Sequence, residues 1–309
     1  MEIEDLSKIN NKTKKIIYFF RNLFIIIGIE KLNNNIICYI PKNYIKITNK
    51  FITKIVSKKI CNVLYDNNIN IVVLSNKLKT NNIIINAIQS ENIEILDGRE
   101  LFKDLILKII EYVLSLQNED ISKYEITLLT NDLSNNVINN IIYLSNKVKV
   151  LNVVTNNIKD YKKVEEKIYN KFGILIRITN NKRKSLANTK LIFNIDFPEE
   201  ILNEYIIYDK AIIINICKKI KILSKKFNGI NVNYYNIKLP IEYRDFFSKY
   251  NIYRNFNENE LYESILYNDN GKDFFNRINN IEDNNVSILN LIGENGVISE
   301  NNIKYIDKL

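Results

Sequence analysis

Three positions carry groups from which an acid–base step could be built. Lys77 lies just beyond the apolar run 70–75 (NIVVLS), Asp97 ends the run 93–97 (IEILD), and Asp196 ends 191–196 (LIFNID). A lysine and an aspartate at strand ends, facing a cleft between domains, can pass a proton without histidine. The chain has no histidine, which excludes Ser-His-Asp and Cys-His nucleophile systems, an imidazole base and any histidine metal ligand. Cys38, Cys61 and Cys217 are too far apart for a zinc knuckle. Each sits in an apolar run, where a free thiol packs as a small hydrophobe, and together they point to a reducing cytoplasm and no metal site. Plainer roles compete: Asp97-Gly98-Arg99 reads as a strand-to-helix turn. Asp196 has capping-box spacing to Glu199, with Pro198 suited to a first helical turn.

A second set of polar groups collects where apolar runs end. The stretch 128–136, LLTNDLSNN, supplies Thr130, Asn131, Asp132 and Ser134; the following runs end in Thr155, Asn156 and Asn157, then Thr179, Asn180 and Asn181, then Asn194 and Asp196. In an open parallel sheet, ligands bind in the crevice outside the carboxyl ends of the strands. Thr130, Asn131, Ser134, Thr155, Asn156 and Asn180 are therefore the candidate cofactor-binding residues. Asp132 or Ser134 equally suits the N-cap of the next helix. The basic loop Lys182-Arg183-Lys184 fits a phosphate, an acidic partner or plain solvent.

The elements that must hold these groups follow from hydrophobic pattern. Short Ile-, Val- and Leu-rich runs at 70–75, 93–97, 125–130, 149–155, 174–179, 191–196 and 211–216 alternate with helix-length segments. Such alternation, with strands apolar on both faces, predicts an α/β protein: a parallel sheet with helices on both faces, preceded by a smaller N-terminal α/β domain. Helices are predicted at 100–116, 135–146, 160–171, 241–251 and 258–267. The first carries two adjacent i, i+4 apolar rows. Gly173 suits a helix C-terminus, and Asn-Gly at 228–229 and 295–296 predicts two tight turns. The division expected is an N-terminal domain over 1–98, a linking helix over 99–117, a nucleotide-type domain over 118–240 and a C-terminal helical segment over 241–309 that packs back on the first domain.

Five strand candidates from Glu125 to Ile216, separated by helical segments, resemble the NAD(P)-binding Rossmann superfamily. The layout is similar to the two-domain shikimate and amino-acid dehydrogenases. The resemblance implies a phosphate loop of the form G-x-G-x-x-G after the first strand, with glycines for a tight turn, close approach to pyrophosphate and close helix packing. Here those places hold Thr130, Asp132 and Asn135, or Asn131, Leu133 and Asn136. Asn and Asp tolerate the turn, but a side chain at the second place intrudes on the phosphate. The acid that would bind ribose hydroxyls is replaced by Thr155-Asn156-Asn157, and Lys159, Lys162 and Lys163 beyond it suit a 2′-phosphate, so the cofactor implied, if any, is NADP.

The formal charge of +9 comes with an Asn-, Ile- and Lys-rich composition typical of AT-rich coding, and lysines are spread among acids, which argues against a nucleic-acid partner. The segment 16–29 (IIYFFRNLFIIIGI) follows Lys12, Lys14 and Lys15, but Arg21-Asn22 interrupts it and its apolar pieces fall short of the ~20 residues of a membrane span. It reads as a packing helix. Two functions follow: a binding or interaction module with a degenerate dinucleotide site, its partner a small molecule or a protein, or an NADP-dependent oxidoreductase acting on a small polar substrate. The sequence leaves catalysis itself open.

Overall fold

The computed structural model describes residues 2–4, 27–32, 35–41, 50–249, 255–270 and 286–306. The segment 16–26 lies outside them. No helix among the described residues is long and apolar enough to cross a membrane. The chain divides into two compact units, Met1–Asp97 with Ile241–Asn268, and Gly98–Pro240 with Asp269–Leu309.

In the first unit β1 (Glu2–Glu4), β2 (Gly28–Leu32) and β3 (Asn35–Pro41) form a small sheet, β1 parallel and β2 antiparallel to β3. Helix α1 (Lys50–Asp66), β4 (Ile71–Val72), α2 (Asn82–Ser90) and β5 (Glu94–Ile95) follow, and β4 and β5 pair in parallel. One apolar cluster joins them, including Val56, Ile60 and Leu64 from α1, Leu74 and Leu78 after β4, and Ile84 and Ile88 from α2. Asn81 caps α2, its side chain accepting from the Ile84 amide at 3.3 Å, the usual way to satisfy a first-turn donor. Helix Ile241–Lys249 and all but the last two residues of helix Glu258–Asn270 belong to the same unit.

The second unit opens with α3 (Arg99–Asp104) and α4 (Ile106–Gln117). The single helix expected over 100–116 is thus two, meeting at Leu105. Leu105 leaves helical geometry at φ −86°, ψ 6°, yet its amide donates to the Leu101 carbonyl and its carbonyl accepts from the Ile109 amide, and the apolar stripe of Ile106, Ile109, Ile110 and Val113 stays buried. Asn118 ends α4 in the left-handed region at φ 55°, a conformation asparagine tolerates better than most residues.

Then come β6 (Glu125–Leu129), α5 (Asn135–Ser145), β7 (Val150–Val154), α6 (Ile158–Phe172), β8 (Arg177–Thr179), β9 (Leu191–Asn194), α7 (Glu199–Leu202), β10 (Ile212–Asn215) and β11 (Ile230–Val232). All six strands are parallel, in the order β8-β7-β6-β9-β10-β11. Counted along the chain this is 3-2-1-4-5-6, the doubly wound Rossmann order, in which the topological switch point falls between the first and fourth strands, here β6 and β9. The α/β reading with a parallel Rossmann-like sheet therefore holds. β9 and β10 are buried at every position, which is why they read as unbroken apolar runs rather than as alternation.

Past β10 the pattern is weaker and the elements are short. β12 (Tyr234–Lys238), β13 (Ser287–Gly293) and β14 (Gly296–Val297) form an antiparallel sheet, bulged at Asn236/Ile237. The Asn-Gly at 295–296 does close a hairpin, with Gly296 at φ 108°. The one at 228–229 leads instead into parallel β11. There the glycine is needed for space, since a Cβ on Gly229 would stand 2.1 Å from the Ala211 carbonyl oxygen.

Candidate functional site

The switch point is built from two loops. β6 delivers Thr130, Asn131 and Asp132 at its carboxyl end, and β9 delivers Asp196. Asp196 Oδ1 and Oδ2 both accept from the Asn131 backbone N–H, each at 2.9 Å. A carboxylate is thereby fixed on the loop amide that a phosphate-binding turn would offer to its ligand. Burial holds the Asp196 carboxyl above its usual range, opposed by the Asn131 and Asp132 amides and by Lys103, and reinforced by the Asp132 charge. The capping role expected of Asp196 is not what the structure contains: Pro198 precedes α7 with no side-chain cap, and Glu199 accepts from the Lys221 amide at 2.9 Å.

The rest of the β6 loop is satisfied from within. The Asp132 amide donates to Thr130 Oγ1 at 3.0 Å, and the Asp132 carboxylate accepts from the Ser134 amide at 2.8 Å and its hydroxyl at 2.9 Å. Ser134 occupies the N-cap position of α5 without a side-chain capping bond. Neither residue therefore caps a first-turn helix amide, and the two form a local turn instead. Asn131 Oδ1 accepts from the Asn156 amide at 2.8 Å and from Thr155 Oγ1 at 3.2 Å, which ties the β6 loop to the β7 loop. Thr155 Oγ1 also accepts from the Asn157 amide at 3.0 Å. Asn131, Thr155, Asn156 and Asp196 are thus brought together, with Thr130 buried beneath them. Asn180 is exposed at the end of β8, and none of these bonds includes it.

Sequence reasoning passed over three residues here. Tyr161, fully buried on α6, donates its hydroxyl to the Asp132 carbonyl at 2.5 Å. Desolvation pushes its pKa up to about 12, helped by the Asp196 and Asp132 charges and opposed by a bond with Thr130. Lys103 on α3 is buried, with Nζ 3.2 Å from Glu100 and 3.5 Å from Asp132. Burial alone would lower its pKa, but Glu100, Cys217 and Asp132 outweigh burial and raise it. Arg99 Nη1 donates to the Ile216 carbonyl at 2.7 Å while its guanidinium lies 5.0 Å from the centroid of the Tyr234 ring. Lys103 has the sequence pattern of an ordinary polar helix position, which is why periodicity does not separate it. Cys217 is exposed, so the packing role expected of all three thiols applies to Cys38 and Cys61 alone.

A chain of asparagines extends the carboxyl edge beyond β9. Asn194 Nδ2 donates to Asn215 Oδ1 at 3.2 Å, Asn215 Nδ2 donates to Asn231 Oδ1 at 2.7 Å, and Asn233 Oδ1 accepts from the Ile220 amide at 2.8 Å. Buried amides so paired act as rigid spacers between loops, and an abundance of asparagine had read only as composition.

Within the first unit, Lys77 and Asp97 are both exposed, and no ion pair between them occurs among the described contacts. Lys79, two residues on, makes the ion pair, with Nζ 2.5 Å from both carboxylate oxygens of Glu260. The side chains are 30% and 5% exposed. Burial raises the Glu260 pKa, Lys79 opposes this, and the Asp97 charge adds to it. Ser75, at the start of the same turn, has a buried hydroxyl without a hydrogen-bond partner. No group of metal-ligating residues occurs among the described residues.

No protein-family model and no curated protein matches the sequence. Solved structures overlap weakly. The L-tryptophan dehydrogenase from Nostoc punctiforme is 10% identical, with a TM-score of 0.30 over 54% of this chain and 47% of that one. A "putative aspartate carbamoyltransferase" from Trypanosoma cruzi is 13% identical, with a TM-score of 0.23 over 55% and 59%. The chain spans about half the length of these structures. Likenesses this weak identify no activity.

Proposed function

We propose that this chain is a Rossmann-like binding or interaction module of the cytoplasm, whose dinucleotide site is closed by its own residues. One observation carries the reading: the Asp196 carboxylate accepts from the Asn131 amide at the β6/β9 switch point. A dinucleotide's pyrophosphate would need that amide, and would have to approach a fixed carboxylate to reach it. The tyrosine hydroxyl on the Asp132 carbonyl and the Thr130 bond to the Asp132 amide support it further, because they hold the loop in this shape. The ligand of such a module is a small polar molecule or a protein.

A second reading, an NADP-dependent oxidoreductase acting on a small polar substrate, is favoured by the Lys79–Glu260 pair. It is a histidine-free couple able to exchange a proton. Thermal denaturation with NAD, NADP and related nucleotides separates the two. A nucleotide at 100 times its Kd would add ~2.7 kcal/mol of stability, so a closed site shows no shift at millimolar NADP. An NADP-specific shift would favour the oxidoreductase.

A further inference from the structure

We propose that the second unit docks on an anionic lipid surface through two basic loops and the exposed aliphatic side chains in and between them. The loop 218–226 (KKIKILSKK) carries five lysines and no acid, and the loop 182–184 adds Lys182, Arg183 and Lys184, all exposed. The residues between are held to both loops by hydrogen bonds. The Ile206 amide donates to the Lys182 carbonyl at 2.9 Å. Asn203 Nδ2 donates to the Lys221 carbonyl at 3.0 Å, and Asn203 Oδ1 accepts from the Leu223 amide at 2.8 Å. The loop 218–226 is further fixed by Ile220, which is buried and donates its amide to Asn233 Oδ1. Its lysines are therefore presented by a shaped segment, not by a free tail.

Two aliphatic side chains stand exposed here, Leu223 within the loop 218–226 at 61% and Ile206 between the two loops at 56%. An ion pair with Glu204 engages Lys182, and no ion pair within 4 Å engages the five lysines of 218–226 among the described contacts. Lysines around exposed aliphatic tips fit a bilayer interface, where ammonium groups meet anionic headgroups and the tips enter the acyl boundary. Single-stranded nucleic acid would call for aromatic platforms on which bases stack, and these two large exposed apolar side chains are aliphatic.

Attraction near an anionic membrane is worth roughly a five-fold change in partitioning per lysine. Replacing Lys219, Lys221 and Lys225 together with glutamine should therefore weaken partitioning roughly 100-fold. The experiment is co-sedimentation of the full chain with vesicles of phosphatidylcholine alone or with added phosphatidylserine, at low and high salt, with circular dichroism to verify that the variants fold. Expected are binding to the phosphatidylserine vesicles only, loss at high salt, loss in the triple glutamine variant, and marked weakening in Leu223→Asp. The proposal is overturned if the wild type stays in the supernatant or if either variant binds as the wild type does. It is also overturned if single-stranded RNA binds the chain through the same lysines while vesicles do not.

Discussion

Replacing Asp196 tests whether its carboxylate is a lodged anion or a stabilised one. Its pKa is raised, first by burial, so the folded chain holds a proton there more firmly than the unfolded chain. For such an acid the sign is fixed: stability falls as pH rises from the unfolded value of 3.8 through the folded value, and at neutral pH the penalty is fully present. Asp196→Asn keeps an oxygen acceptor for the Asn131 amide and removes the charge. It should match or exceed the wild type in urea unfolding at pH 7, with any advantage vanishing as the pH falls to about 4. Asp196→Ala leaves the Asn131 amide without its acceptor, at a cost of ~1–3 kcal/mol for a desolvated donor and toward ~1 here because the loop is only partly buried. An Asn variant less stable than the wild type by ~1 kcal/mol or more at pH 7 would refute the reasoning. The Asn131 and Asp132 amides and Lys103 would then stabilise the carboxylate as an anion by more than burial and the Asp132 charge oppose it.

Tyr161→Phe should lose ~1 kcal/mol at neutral pH for the bond to the Asp132 carbonyl. Because the Tyr161 pKa rises from 10 to about 12, the wild type should also lose stability between those values relative to the Phe variant, as chemical denaturation across alkaline pH would register. Lys79→Met strands the Glu260 carboxylate and should cost ~2–3 kcal/mol at neutral pH, below the ~3–5 of fully buried pairs because Lys79 is partly exposed. The loss should shrink on acidification and be smaller in the double variant Lys79→Met/Glu260→Leu, which a double-mutant cycle by calorimetry would measure. Gly229→Ala forces a Cβ against the Ala211 carbonyl and should lower the melting temperature by at least the equivalent of ~1–3 kcal/mol.

The sheet was legible because burial writes itself into composition. β6, β7, β9 and β10 are covered on both faces, so each appears as an apolar run, and their central segments fall within the predicted ones. β11, β12 and β13 were not seen. The three residues of β11 carry Asn231 between Ile230 and Val232, and Asn236 and Asn290 face each other across the β12–β13 pair. The break at Leu105 was hidden because its apolar rows run through unaltered. At the site, the glycine-free β6 loop was apparent, but the partner of its amide lies 65 residues away in sequence, and spacing rules reach only a helical turn. Asp196 therefore looks like a local cap in sequence, and Lys77 and Lys79, which both follow the same strand, are not separable by pattern.

The central claim is that a protein carboxylate stands where a nucleotide's phosphate would. The Asn131 backbone amide reports it directly by nuclear magnetic resonance of the nitrogen-15-labelled chain. The account predicts that this resonance titrates with the raised Asp196 pKa, stops titrating in Asp196→Asn and does not move when millimolar NADP is added to the wild type. A resonance indifferent to Asp196 but displaced saturably by NADP would contradict it.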